Sequence, residues 1–188
     1  MTVICRTLPF PRGSVMSDGI GTPADGDFAH LTGRLFAVPD ELHKGGEDVI
    51  LRCVQNDSGS ALTLERKCVS FSTGGVTEFG SKIDGVAGTG GEVCKPMDDY
   101  YRGRRTSCPA NDLMYVVDEG RVDIMTTADC TLEVGFVPIQ MIGFGTIDQA
   151  IDKDVVIGTA MEAAADTDVT TAVCVFVDVG LKQIGTSV

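Results

Sequence analysis

The chain has 188 residues, room for one domain or a domain with an arm; Trp is absent, and 23 glycines punctuate short apolar runs as turns punctuate strands. Its formal net charge of −12 is uneven: residues 106–188 hold 13 acidic and 3 basic groups, residues 1–105 hold 14 and 12. The acidic part repels phosphate and anionic lipid, which argues against nucleic-acid or membrane binding through it, and no apolar run approaches the roughly 18 residues of a membrane span.

Residues 1–30 are dense in Pro, Gly and Asp, as in Leu8-Pro-Phe-Pro-Arg-Gly and Asp18-Gly-Ile-Gly-Thr-Pro. Such a stretch sustains neither a helix nor a long strand and reads as an extended arm. Residues 31–188 read as one β-rich domain, near-neutral over 31–105 and acidic over 106–188.

Arg34-Leu-Phe-Ala-Val-Pro is a short strand ended by Pro39, which lacks a ladder donor. After a turn around Lys44-Gly-Gly-Glu come Val49-Ile-Leu-Arg-Cys-Val and Ala61-Leu-Thr-Leu-Glu-Arg-Lys-Cys-Val-Ser-Phe, flanking an Asn/Asp/Ser/Gly loop and expected to pair antiparallel. Asn56-Asp-Ser58 matches a glycosylation sequon but reads as turn chemistry, because no secretory leader is evident. Residues 74–91 are Gly-rich and are expected to form a long loop or a wide hairpin tip. A phosphate-cradling loop would need a preceding strand, a following helix and a Gly-Lys-Ser/Thr ending.

Met97-Asp-Asp-Tyr-Tyr-Arg-Gly-Arg-Arg105 is the basic and aromatic cluster. Tyr100, Tyr101, Arg102, Arg104 and Arg105 suit single-stranded nucleic acid or a protein interface, and the overall acidity favours the protein partner. Leu113-Met-Tyr-Val-Val, Asp118-Glu-Gly120 and Arg121-Val-Asp-Ile-Met are expected to form a hairpin, with Val122 and Ile124 on one face and Arg121 and Asp123 on the other. Further strands are expected at Leu132–Ile139, Val155–Ala160 and Val173–Val179, and one helical turn at Met161–Asp166. The fold class is therefore mainly β: a small barrel-like or sandwich domain of eight to ten strands with at most one or two short helices.

Catalytic signatures are missing from the sequence. His30 and His43 stand in loop-like contexts, and no nucleophile-elbow, zincin or EF-hand pattern occurs. Asp98-Asp99 and Asp152/Asp154 read as solvated turns, and Asp166/Asp168 as at most a weak divalent-ion contact. Seven cysteines cannot all pair within the chain, and none has zinc-ligand spacing, so reduced thiols and cytosolic synthesis are expected. Cys53, Cys68 and Cys174 sit within apolar alternation and are expected to be buried. The expectation is no catalytic residue, no cofactor and no metal.

Gly120-Arg-Val-Asp-Ile, Leu132-Glu-Val-Gly135 and Ile157-Gly-Thr-Ala-Met-Glu-Ala-Ala-Ala-Asp-Thr-Asp-Val, followed by alternating Val, resemble the head-decoration or cement proteins of tailed bacteriophages. The resemblance implies a compact β-tulip or barrel domain, usually trimeric, bound outside a capsid where capsomers meet, with the major capsid protein as partner. It implies a structural virion protein and no enzyme. Under that reading, Arg6 and Arg12 of the arm, with Tyr100, Tyr101, Arg102, Arg104 and Arg105, contact coat protein or a neighbouring subunit. Another virion part, such as a tail or head–tail connector protein, is the alternative, and a small ligand-binding or enzymatic β-barrel is a third.

Overall fold

The computed structural model describes residues 4–16, 28–43, 47–72, 81–88, 94–98, 106–128, 130, 132, 137–150, 155–164 and 172–183. The fold is mainly β. In chain order the strands are β1 (Ile4–Cys5), β2 (Leu35–Pro39), β3 (Asp48–Asn56), β4 (Leu62–Thr63), β5 (Cys68–Phe71), β6 (Lys82–Val86) and β7 (Cys94–Pro96). They continue with β8 (Ser107–Cys108), β9 (Leu113–Met125), β10 (Val137–Gly143), β11 (Thr146–Gln149), β12 (Val155–Ala160) and β13 (Ala172–Gln183). The helical content of the described residues is one 3₁₀ turn, Ala29–Leu31.

One mixed sheet runs β11-β10-β12-β13-β9-β3-β6-β5-β7, with β2 also pairing β3 and β1 pairing β2, while β4 and β8 form a separate ladder. Strand β9 joins the two halves: Leu113 to Glu119 pairs with β3, and Gly120 to Met125 pairs with β13. Its first half is covered on both faces. Leu113, Tyr115 and Val117 belong to one hydrophobic cluster, and Met114 and Val116 to another on the opposite face. Each fully buried side chain of this kind contributes about 1.5–3 kcal/mol.

The hairpin expected across Asp118-Glu-Gly120 does not form, because β9 runs straight through it. The register with β3 shifts between Ile50 and Leu51, leaving Asp118 as the extra residue of a bulge. There the Asp118 carboxylate accepts two hydrogen bonds from Arg52 (3.0 Å each), and its carbonyl accepts one from Lys95 Nζ at 2.8 Å. Gly120 has φ +113°, and a Cβ there would lie 3.1 Å from Val49 Cα. A turn-like tripeptide thus serves a strand crossing.

Three further local expectations meet a different arrangement. Val49–Val54 does not pair with the Ala61–Phe71 run: β3 lies between β9 and β2/β6, β4 pairs with β8, and β5 pairs with β6 and β7. The intervening loop folds back on itself because the fully buried Asn56 donates from Nδ2 to the carbonyls of Ser60, Cys108 and Pro109, while its Oδ1 accepts from Ser58 N at 3.2 Å. Within the expected glycine loop, Lys82–Val86 is a strand whose Ile83 is fully buried. Met161 to Ala164 is not helical; Ala164 instead bridges to Leu132 and is buried.

Residues 4–16, within the segment expected as an arm, lie against the sheet. Phe10 stacks on Tyr115 with ring centroids 4.2 Å apart, and the Tyr115 hydroxyl donates to Phe10 O at 3.0 Å. Phe10, Val15 and Met16 are buried, and Met16 N donates to Leu113 O. Residues 17–27 lie outside the described residues.

Candidate functional site

Strands β10 and β11 form a hairpin whose connection is the dipeptide Phe144-Gly145, since Gly143 pairs with Thr146. Both central residues have positive φ, +52° at Phe144 and +71° at Gly145, the pattern of a tight turn that suits Asn-Gly. A bulky aromatic in the left-handed region is an outlier that costs on the order of 1–3 kcal/mol, and such strain collects at working surfaces. The Phe144 side chain is 81% exposed, so burial does not offset that cost.

The turn is held from below. Gly145 N donates to Ala87 O and Gly145 O accepts from Cys68 N, both at 2.8 Å, while Thr146 Oγ1 donates to Gly143 O at 2.7 Å. Backbone approach is so close that a Cβ on Gly145 would lie 2.7 Å from Cys68 O. Beneath it, a hydrogen bond shared with the Cys94 thiol, and then burial, push the Cys68 thiol well above its ordinary value, which keeps it protonated. Phe144 is therefore presented on a fixed base.

Beside this turn lies a groove of about 650 Å³ with a mostly apolar wall. Phe144 and Thr146 line one part, Met125 at the end of β9 with Thr127 and Ala128 just after it another, and Glu65, Arg66 and Lys67 the rest. The wall is tied together by Met125 N donating to Arg66 O (2.7 Å) and Thr127 N to Ile147 O (3.0 Å). Arg66 also reaches Asp123 at 3.5 Å, and Lys67 pairs with Glu65. An exposed aromatic beside an apolar groove with a charged rim matches what protein interfaces present.

Of the residues singled out in the sequence, the described ones do not line this groove. Arg6 is at the surface, its side chain 84% exposed and 3.9 Å from Asp48. Arg12 is turned inward: Nε donates to Asp98 Oδ1 at 3.0 Å, with side-chain exposures of 7% and 1%. Asp98 is thus a buried partner and no solvated turn; its second oxygen accepts from Gly13 N. Tyr100, Tyr101, Arg102, Arg104 and Arg105 lie outside the described residues, as do Asp152/Asp154 and Asp166/Asp168. His30 is exposed, whereas His43 is packed between Asp40 and Asp123. Cys53, Cys68 and Cys174 are buried free thiols.

No family model matches this sequence, and no curated protein matches it. Among solved structures, the chain is similar to the N base of head fiber gp8.5 of bacteriophage phi29, at 16% identity over 69% of this chain and 94% of that one, with a TM-score of 0.39.

Proposed function

We propose that this chain is a structural protein of a tailed-phage head that binds the outside of the capsid and cements neighbouring capsomers. Its partners are the major capsid protein and two further copies of itself; it acts by binding and not by catalysis, and it engages neither nucleic acid nor membrane. The observation that carries this reading is Phe144, strained, exposed and rigidly held beside an apolar groove. An aromatic anchor next to a preformed groove offers the coat protein both a knob and a hole, the arrangement in which interface energy concentrates. The groove also straddles the two charge regions: Arg66 and Lys67 come from the near-neutral part, and Met125 to Thr146 from the acidic part. Attachment there leaves acidic surface elsewhere to keep the decorated particle soluble.

One sequence feature points the same way. The Ile157-Gly-Thr-Ala-Met-Glu-Ala-Ala-Ala run resembles head-decoration proteins, and its Gly158 meets a local need, since a Cβ there would lie 2.4 Å from Phe176 O across the β12–β13 pair. Mixing purified protein with heads assembled without it should give saturable binding in multiples of three, and native mass should give a trimer. Absence of binding at micromolar protein would sink the proposal.

A further inference from the structure

On the outward face of the β9–β13 pair, four side chains from three separate segments converge. The register sets Cys174 of β13 directly opposite Asp123 of β9, so their side chains leave the sheet side by side. His43 reaches the same point from the loop after β2. That loop is shaped by Asp40, whose Oδ1 accepts from the backbone N–H groups of Leu42 and His43, both at 3.1 Å. The same carboxylate lies 3.1 Å from His43 Nδ1, and Nε2 lies 3.1 Å from Asp123 Oδ1. Ligand atoms of His43, Asp123 and Cys174 all fall within 4.8 Å of one another.

From this geometry we infer that His43 Nε2, the Asp123 carboxylate and Cys174 Sγ form a binding site for zinc. Three features of the arrangement fit the ion. Mixed nitrogen, oxygen and sulfur donors are the set zinc accepts, at about 2.0–2.3 Å. Two ligands of a tetrahedral zinc stand about 3.3–3.7 Å apart by those bond lengths; the His43–Asp123 pair at 3.1 Å is already near that spacing, and ligand atoms as far apart as 4.8 Å close onto an ion by a side-chain shift of about 1 Å. Asp40 stands where a metal-ligating histidine keeps its outer carboxylate, fixing the ring through Nδ1 and directing Nε2 to the other two donors.

The local field suits a cation as well. Burial first, and then the negative charges of Asp123, Glu162 and Asp40 against Arg121, push the Cys174 thiol up to about 11, a negative field that a cation would relieve, and Arg66 touches the far oxygen of Asp123. Glu162, whose Oε2 accepts from Cys174 N at 3.4 Å, or a water would supply the fourth ligand. The ion would tie the β2–β3 loop to β9 and β13 and thereby set the position of Asp123, which holds Arg66 at the groove. The site does not depend on capsid binding, and its test uses the isolated chain.

The full chain, freed of metal with EDTA, is titrated with Zn²⁺ and separately with Co²⁺. One ion per chain is expected, with a rise in melting temperature that EDTA reverses and, for cobalt, a thiolate-to-metal charge-transfer band. Cys174→Ser should remove that band while the far-UV circular dichroism stays that of the wild type. Asp40→Asn, which touches no metal, should weaken zinc about 10–100-fold. A wild-type protein that takes up no zinc at micromolar concentration, or a cobalt band that survives in Cys174→Ser through the other six thiols, overturns the inference. Absence of uptake by the wild type overturns the inference even if Cys174→Ser fails to fold, and Asp40→Asn then serves as the variant that assigns uptake to this site.

Discussion

Arg12 and Asp98 show at the scale of single residues how a polar pair settles a chain segment. Both side chains are almost wholly buried, and 86 positions separate them, so their meeting fastens residues 4–16 across the sheet. Arg12→Ala would remove a buried positive charge in direct contact with the Asp98 carboxylate, at a cost of about 3–5 kcal/mol in urea denaturation. A loss under about 0.5 kcal/mol would mean the pair is not buried in solution. Cys53 gives a second prediction. Burial pushes its thiol from 9.0 to about 12, so the folded chain holds this proton more tightly than the unfolded one. The associated stability is complete below about pH 9 and is lost as pH rises towards 12, and Cys53→Ala should flatten part of that decline in urea midpoint. The burial of Cys53 was legible in its apolar alternation, whereas the Arg12–Asp98 pair was not: Arg12 read as a coat-protein or subunit contact and Asp98 as a solvated turn, because nothing local distinguishes a carboxylate that will meet a partner 86 residues away. Asp40-Glu-Leu-His43 did carry a signal, since an Asp three residues before a His can bond that residue's N–H and ring together.

Individual elements owe their shape to backbone approach as much as to apolar alternation. The β10–β11 turn depends on Gly145, where φ is +71° and neighbouring backbone leaves no room for a Cβ. Gly145→Ala should destabilise the chain by about 1–3 kcal/mol and shift the Phe144 turn, seen as lost chemical-shift dispersion or altered amide exchange at Lys67, Cys68 and Ala87. Unchanged stability would show that the turn is not clamped. Alternation made the strands of the sequence visible, including β2, the start of β3 and both halves of β9. What it could not separate was a turn from a bulge: Asp118-Glu-Gly120 has turn composition, yet Arg52 and Lys95 from other strands capture Asp118 and keep the strand running. Strand β6 was hidden for the converse reason, since its glycine-rich surroundings masked a five-residue strand anchored by Ile83.

For the molecule as a whole, the mainly β class was readable from glycine spacing and short apolar runs, whereas the strand order was not, because β9 couples two halves through pairings far apart in the chain. Phe144 escaped notice because a lone aromatic between glycines looks like any turn; only its positive φ and exposure mark it. On the reading proposed above, that residue is where the protein meets the capsid, and the sheet beneath exists to hold it still. The direct measurement is co-sedimentation of Phe144→Ser with undecorated heads beside the wild type. The side chain is exposed, so thermal stability should not fall, while head binding should weaken by at least about tenfold, as removal of an aromatic anchor does. Wild-type binding by a normally folded Phe144→Ser protein would contradict the assignment of this turn as the attachment site.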